Sequence, residues 1–339
     1  VRADVFDPRV DPEPQYWAAL RKQAGLRADW DWSVLTAQAW GARGPQVVTV
    51  LWDGEDIAGV VNAGWLGLPV HRNSFHTAKG RPRVGALHVR SPGTSAVPGW
   101  WFADGVPLST LRDYGVHTRK ALGPGCLGLV LRQVGDDVMT ALPGRLRVAR
   151  PTEPVWAVPI DGWADREEWL MSLRRGRRSD LRGIFRKMAD NPGLRVEIRP
   201  GASDVDEVAA GALLRLNHEK YGTALFTKHR ELSAHLRALL AQPDVVSLIY
   251  SEPATGRLLG FGVLLDHPEW PIAAQWAMLP VEDGGVKDLY FHFLASAIEW
   301  GIDTGKRGVI LGKGKPRIKQ TLGAVGTDQA VLAMPIPPR

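Results

Sequence analysis

Residues 311–324, LGKGKPRIKQTLGA, carry Lys313, Lys315, Arg317 and Lys319 at alternate positions and hold no acid. Gly312 and Gly314 allow a close backbone approach, and Pro316 stiffens the turn. Cations on such a loop suit contact with an anionic group. The stretch is not a nucleoside-triphosphate loop, which requires G-x-x-x-x-G-K-[ST]. A second basic run, Arg174, Arg175, Arg177, Arg178, Arg182, Arg186 and Lys187, is opposed only by Asp180. The sequence leaves open whether the two runs line one anionic site or face solvent separately. The densest titratable cluster is NHEKY (217–221), with His218, Glu219 and Tyr221. His218 or Glu219 is a candidate general base, able to take a proton from an attacking amine; a solvated helix end is the alternative. The nine histidines show no H-E-x-x-H or comparable spacing, so no metal is implied. Cys126, the single cysteine, excludes internal disulfides and Cys-rich metal sites, and reads as a buried, inert thiol.

These residues need elements to position them. A length of 339 residues fits about two domains. With 45% apolar and 23% charged residues the composition is that of a globular chain. No apolar run is long enough to span a membrane, and the first residues lack the apolar core of a secretory signal, so a cytoplasmic protein is expected. A net charge of +6 favours an anionic partner. Eight of the 14 tryptophans precede residue 150 and read as packing residues. Helices are predicted over 15–25, 106–123, 165–193 (with Asp165 and Glu168 as a capping box), 204–222, 229–242 and 286–305. Strands are predicted over 46–66 (two, turning at Asp53-Gly54), 127–134, 244–266 (a hairpin turning at 253–256), 271–279, in RGVILG and in DQAVLAMPI. Residues 67–100 read as loop, and the proline-rich 149–160 as a linker. Domains of 1–150 and 151–339 follow.

The order helix–helix–strand–strand–strand–Gly loop–helix–strand–short helix–strand resembles the GNAT superfamily of N-acyltransferases. WLMSLRRGRRSDLRGIFRKM resembles the basic helix that opens the second domain of its double-domain members, the cellulose-biosynthesis-protein-like or Fem-like acyltransferases. The closing segment is similar to theirs at Ala297, Ile298, Glu299, Gly301, Gly312, Lys319 and Gly323. The resemblance implies an α+β fold of two tandem GNAT-like domains, each a mixed, mostly antiparallel sheet flanked by helices, with the first degenerate and the second catalytic.

It also implies a transferase forming an amide between an activated acyl donor and a small-molecule or peptide amine. In such sites a backbone amide of a splayed central strand, here within 271–279, holds the oxyanion, and a tyrosine on the next helix, here Tyr290, protonates the leaving group. Members that use coenzyme A carry Q/R-x-x-G-x-G/A before that helix. This chain has PVEDGGVKDL, where Gly284, Gly285 and Lys287 suit an anion, while Glu282 and Asp283 oppose one. Lys315 and Lys319 complete the candidate donor-binding set. No cofactor is required beyond the co-substrate. That donor is acyl-CoA in the first reading. In a Fem-like enzyme it is aminoacyl-tRNA, with tRNA as partner. A non-catalytic GNAT-fold binding protein is a third reading.

Overall fold

The structure, a computed structural model, describes residues 2–42, 44–68, 84–220 and 229–337. It divides into two compact units. One comprises residues 1–26, 30–154 and 328–339; the other comprises 27–29 and 155–327. The expected boundary at 150/151 differs in detail, because the first unit reclaims the C-terminal strand.

In the first unit, β1 (Arg2–Phe6), α1 (Trp17–Gln23) and α2 (Trp32–Gly41) precede β2 (Gln46–Asp53) and β3 (Asp56–Leu68). Then come β4 (Val84–Val89), β5 (Trp100–Phe102), α3 (Thr110–Leu122), β6 (Cys126–Val134) and α4 (Asp136–Ala141). β7 (Val148–Pro159) leaves this unit and enters the second. There α5 (Arg166–Ser172), α6 (Arg175–Ala189), β8 (Arg195–Pro200), α7 (Glu207–Lys220) and α8 (His229–Leu240) lead to β9 (Val245–Ser251), β10 (Leu258–Leu265) and β11 (Ile272–Met278). α9 (Leu289–Asp303), β12 (Gly308–Gly312), α10 (Pro316–Gln320) and β13 (Val325–Pro335) close the chain.

The first unit's strands run β1-β2-β3-β4-β6-β13, with β5 beside β3; the second unit's run β7-β12-β11-β10-β9-β8. Each unit has one parallel pair joined through a helix: β4 and β6 through α3, β11 and β12 through α9. The other recorded strand pairs are antiparallel. This is the expected fold class.

Patterning explains the second core. Leu181, Ile184 and Met188 of α6 fall on one face at helical spacing and are buried. α9 buries most of its circumference, as a helix laid over a sheet and under other helices must. Asp165 caps α5, accepting from Glu168 N at 2.9 Å, while Glu168 Oε2 accepts from Ala164 N at 2.8 Å, so the capping box forms one residue out of its ideal register. Tryptophans do pack cores: Trp17, Trp30, Trp32, Trp65 and Trp169 are buried, and Trp17 Nε1 donates to Trp30 O at 2.9 Å.

Two expectations fail. Residues 149–160 are not a linker but most of β7, paired with β12 from Gly308↔Pro159 to Gly312↔Trp156. Val155, Trp156 and Val158 are buried, while Pro151 and Pro159 are exposed and Pro154 is half-buried; Pro151 and Pro154 precede the stretch paired with β12 and Pro159 ends it. Within 67–100, expected as loop, β3 reaches Leu68 and β4 pairs with both β3 and β6. Its GALHV core reads as a strand only once its neighbours are known.

Candidate functional site

The second unit's opening is set by strand geometry. β11 and β12 share register at Ile272↔Ile310, and β11 then runs on to Met278. Leu279 N donates to Leu259 O at 2.8 Å, so Leu279 faces β10. By the two-residue period of a strand, Ala277 faces β10 as well, and Trp276 and Met278 turn their backbone groups to the other side, where β12 departs. Asn217 of α7 confirms that direction: its Nδ2 donates to Trp276 O at 3.0 Å. Within NHEKY, then, Asn217 reaches the central strand. The sequence reading passed over it because an amide does not titrate.

The neighbours of Asn217 lie differently. Glu219 accepts from Arg215 Nε at 2.8 Å on an exposed helix face, one turn away, which accounts for its charge without a substrate. His218 is half-buried, and burial lowers its pKa. Tyr221 lies outside the described residues.

Tyr290 opens α9, half-buried against the core. Its ring lies 5.7 Å from that of Trp276 and 6.4 Å from that of Phe291. Lys315 Nζ sits 4.7 Å above the Tyr290 ring, so two predicted residues meet. Lys315 occupies the left-handed region (φ 47, ψ 50) as the N-cap of α10, with Pro316 following. Asp288, two residues before Tyr290, is left-handed as well (φ 69). Non-glycine residues in this region carry strain that the surrounding structure must hold in place.

Lys319 is 1% exposed and donates from Nζ to Lys313 O at 2.6 Å. An added Cβ on Gly312 would sit 4.0 Å from that nitrogen. The ammonium is therefore tucked under the 312–315 loop at the end of β12. It braces the loop from inside, whereas the sequence placed it in the candidate donor-binding set.

The glycine turn before α9 is self-contained. Gly284 N donates to Val281 O at 3.1 Å and Gly285 N to Pro280 O at 2.8 Å. Gly284 has φ +93, and an added Cβ on Gly285 would come within 1.9 Å of Leu279 O. The turn itself thus requires both glycines and uses both amides, which corrects their expected role as anion-binding amides. Lys287 is exposed beside them.

The two basic runs meet. A groove of about 750 Å³ is lined by Arg174 and Arg177 at the start of α6 and by Arg317, Gln320 and Gly323 of the α10 segment. The Arg177 guanidinium lies 5.0 Å over the Phe291 ring, its Nε buried with no hydrogen-bond partner. Asp180 approaches Arg177 only to 3.9 Å. The run does not act as one patch: Arg182 pairs with Glu167 instead. Cys126 is buried, its thiol pushed up to about 11 by burial.

Neither a protein-family model nor a curated protein sequence matches this chain. Solved structures do. FemX is 12% identical, with a TM-score of 0.59, over 97% of this chain and 96% of its own. L-PGS from Bacillus licheniformis is 12% identical at 0.59, over 97% and 94%. The DUF2156 domain of a putative lysylphosphatidylglycerol synthetase from Agrobacterium fabrum is 12% identical at 0.55, over 91% and 87%. The chain therefore has the Fem-like double-unit fold over essentially its whole length. No helix among the described residues is long and apolar enough to cross a membrane.

Proposed function

We propose that the second unit is an acyltransferase of the Fem type, which moves an aminoacyl group from the terminal ribose ester of a tRNA to an amine and forms a peptide-like bond. The observation that carries this reading is the groove in which Arg174, Arg177 and Arg317 converge, next to Phe291 and, through it, Tyr290. A phosphate backbone is matched by several guanidiniums along a groove. The amides of Gly284 and Gly285 are spent within their own turn, which favours this donor over the pyrophosphate of an acyl-CoA. The fold shared with FemX and L-PGS is consistent with the reading.

The chemistry asks little of the protein. A neutral amine attacks the ester carbon, the carbonyl oxygen becomes an oxyanion, the C–O bond to ribose breaks, and the amine's proton ends on the leaving oxygen. Trp276 and Met278 direct backbone groups toward the opening, where an N–H stabilises the oxyanion. Lys319 holds the 312–315 loop in place from beneath. In this reading Tyr290, with Lys315 over its ring, hands a proton to the leaving oxygen.

The test is to incubate the protein with a mixed pool of aminoacyl-tRNAs, or with acetyl-CoA, and a panel of amines, and to read amide products by mass spectrometry. The reading predicts aminoacyl amides from the tRNA pool. Products from acetyl-CoA alone would assign the other donor, and none from either would favour a binding protein.

A further inference from the structure

The first unit holds a second cationic pocket, at the ends of its own parallel strands. Its volume is about 240 Å³, and His88, Arg90, Ser91, Thr94, Arg132 and Gln133 line it. That is below the roughly 300–1,000 Å³ of pockets that enclose a whole drug-sized ligand, so it suits one compact group.

The pocket is built rather than incidental. The backbone of Arg90 is clamped from both sides: its N–H donates to Asn62 O at 3.2 Å, and its C=O accepts from Asn62 Nδ2 at 2.9 Å. Gly99 packs so closely on Arg90 that an added Cβ would lie 2.1 Å from its carbonyl carbon. On the facing strand, Leu131 pairs with Leu332 and Val134 with Ala330, so Arg132 and Gln133 together oppose the single residue Val331. This is a β-bulge, a device that re-aims side chains. Gln133 in it takes φ 56, is 4% exposed, and its Oε1 has no hydrogen-bond partner. Arg132 Nε is likewise buried without a partner.

The charge is uncompensated. Among the described residues no carboxylate pairs with Arg90 or Arg132, and the residues outside the described ranges include no Asp or Glu. Burial and Arg132 together lower the pKa of Arg90. Burial, then Arg90 and Arg132, holds His88 down at about 4, so at neutral pH it is an uncharged hydrogen-bonding group. Two guanidiniums lining one small pocket call for a dianion more than a monoanion. Thr94 adds a neutral lining hydroxyl, and the buried amide of Gln133 gains a partner from any ligand oxygen once it turns over.

We propose that this pocket binds a phosphoryl group, free or as part of a small phosphorylated molecule, through Arg90, Arg132 and Gln133. The inference uses the first unit alone and stands whether or not the second unit transfers acyl groups.

The test is a melting-temperature titration of the full chain with inorganic phosphate and with methyl phosphate, against potassium chloride at equal ionic strength. Wild type, Arg132→Gln and Gln133→Gly are compared. Gln133→Gly removes the left-handed strain and so should fold. The proposal predicts a saturable rise in melting temperature with phosphate, and an apparent Kd weakened tenfold or more in both variants. It also predicts that Arg132→Gln, without phosphate, melts no lower than wild type, because it removes a like-charge repulsion. Tighter binding of methyl phosphate than of phosphate would identify a phosphorylated molecule as the source, and the reverse would identify free phosphate. The proposal is overturned if wild type shows no saturable response, or if Arg132→Gln keeps the wild-type Kd.

Discussion

Tyr290 and Lys319 are both polar residues in the second unit, but they do different work. Tyr290 is half-buried at the start of α9 with a cation over its ring; Lys319 is buried under a loop. Tyr290→Phe keeps the ring and loses the hydroxyl. If that hydroxyl delivers the proton, transfer under single-turnover conditions should slow by about 10²- to 10⁴-fold with little change in donor binding. Lys319→Met leaves Lys313 O without its donor, which should cost about 1–3 kcal/mol in chemical denaturation. A third residue reports on pH. His292 is buried, and Tyr250 Oη lies 3.0 Å from its Nδ1. Burial, with Arg166, holds His292 at about 4. Below its ordinary value of about 6.5 the unfolded chain binds a proton that the folded chain refuses. The folded state therefore has its full advantage above about pH 6.5 and loses it progressively as the pH falls toward 4, by up to about 3 kcal/mol. Melting curves across that window should show the loss, and His292→Gln should flatten it.

At the scale of elements, the strained start of α10 makes a prediction in which stability and activity part. Lys315→Gly removes a left-handed non-glycine residue and should stabilise the fold by up to about 1 kcal/mol. The same change deletes the cation over Tyr290 and should lower kcat/KM by tenfold or more. A variant that gained stability and kept its activity would remove Lys315 from the site. Much of this region was legible in the sequence, because glycine, proline and periodic apolar residues mark α9, β12 and the loop after them. What was not legible was direction. Nothing in NHEKY says that Asn217 points at β11 while Glu219 turns to Arg215. Nor does a Gly-Gly pair reveal that its amides are spent inside its own turn.

For the molecule as a whole, the second unit could be read because its strands, helices and basic segments follow one another in nearly contiguous sequence. The first unit was harder. It is completed by a strand from the far end of the chain, β13 beside β6, and a pairing between residues some 200 positions apart leaves no local signature. The proline-rich stretch misled for a related reason, since β7 pairs with β12, about 150 positions further along the chain. Net charge was informative only once resolved into places: the +6 excess includes the arginines of the groove in the second unit and the Arg90–Arg132 pair in the first. If the groove of the second unit receives a nucleic-acid-borne donor, equilibrium binding of aminoacyl-tRNA from about 50 to 200 mM salt, for wild type and for Arg177→Glu/Arg317→Glu, must depend on these arginines. With three arginines engaged, wild type should show a log–log salt slope of about −2 to −3, and the variant weaker binding with a flatter dependence. Absence of binding at low salt, or a slope and affinity unchanged by the two charge reversals, would contradict that role of the groove.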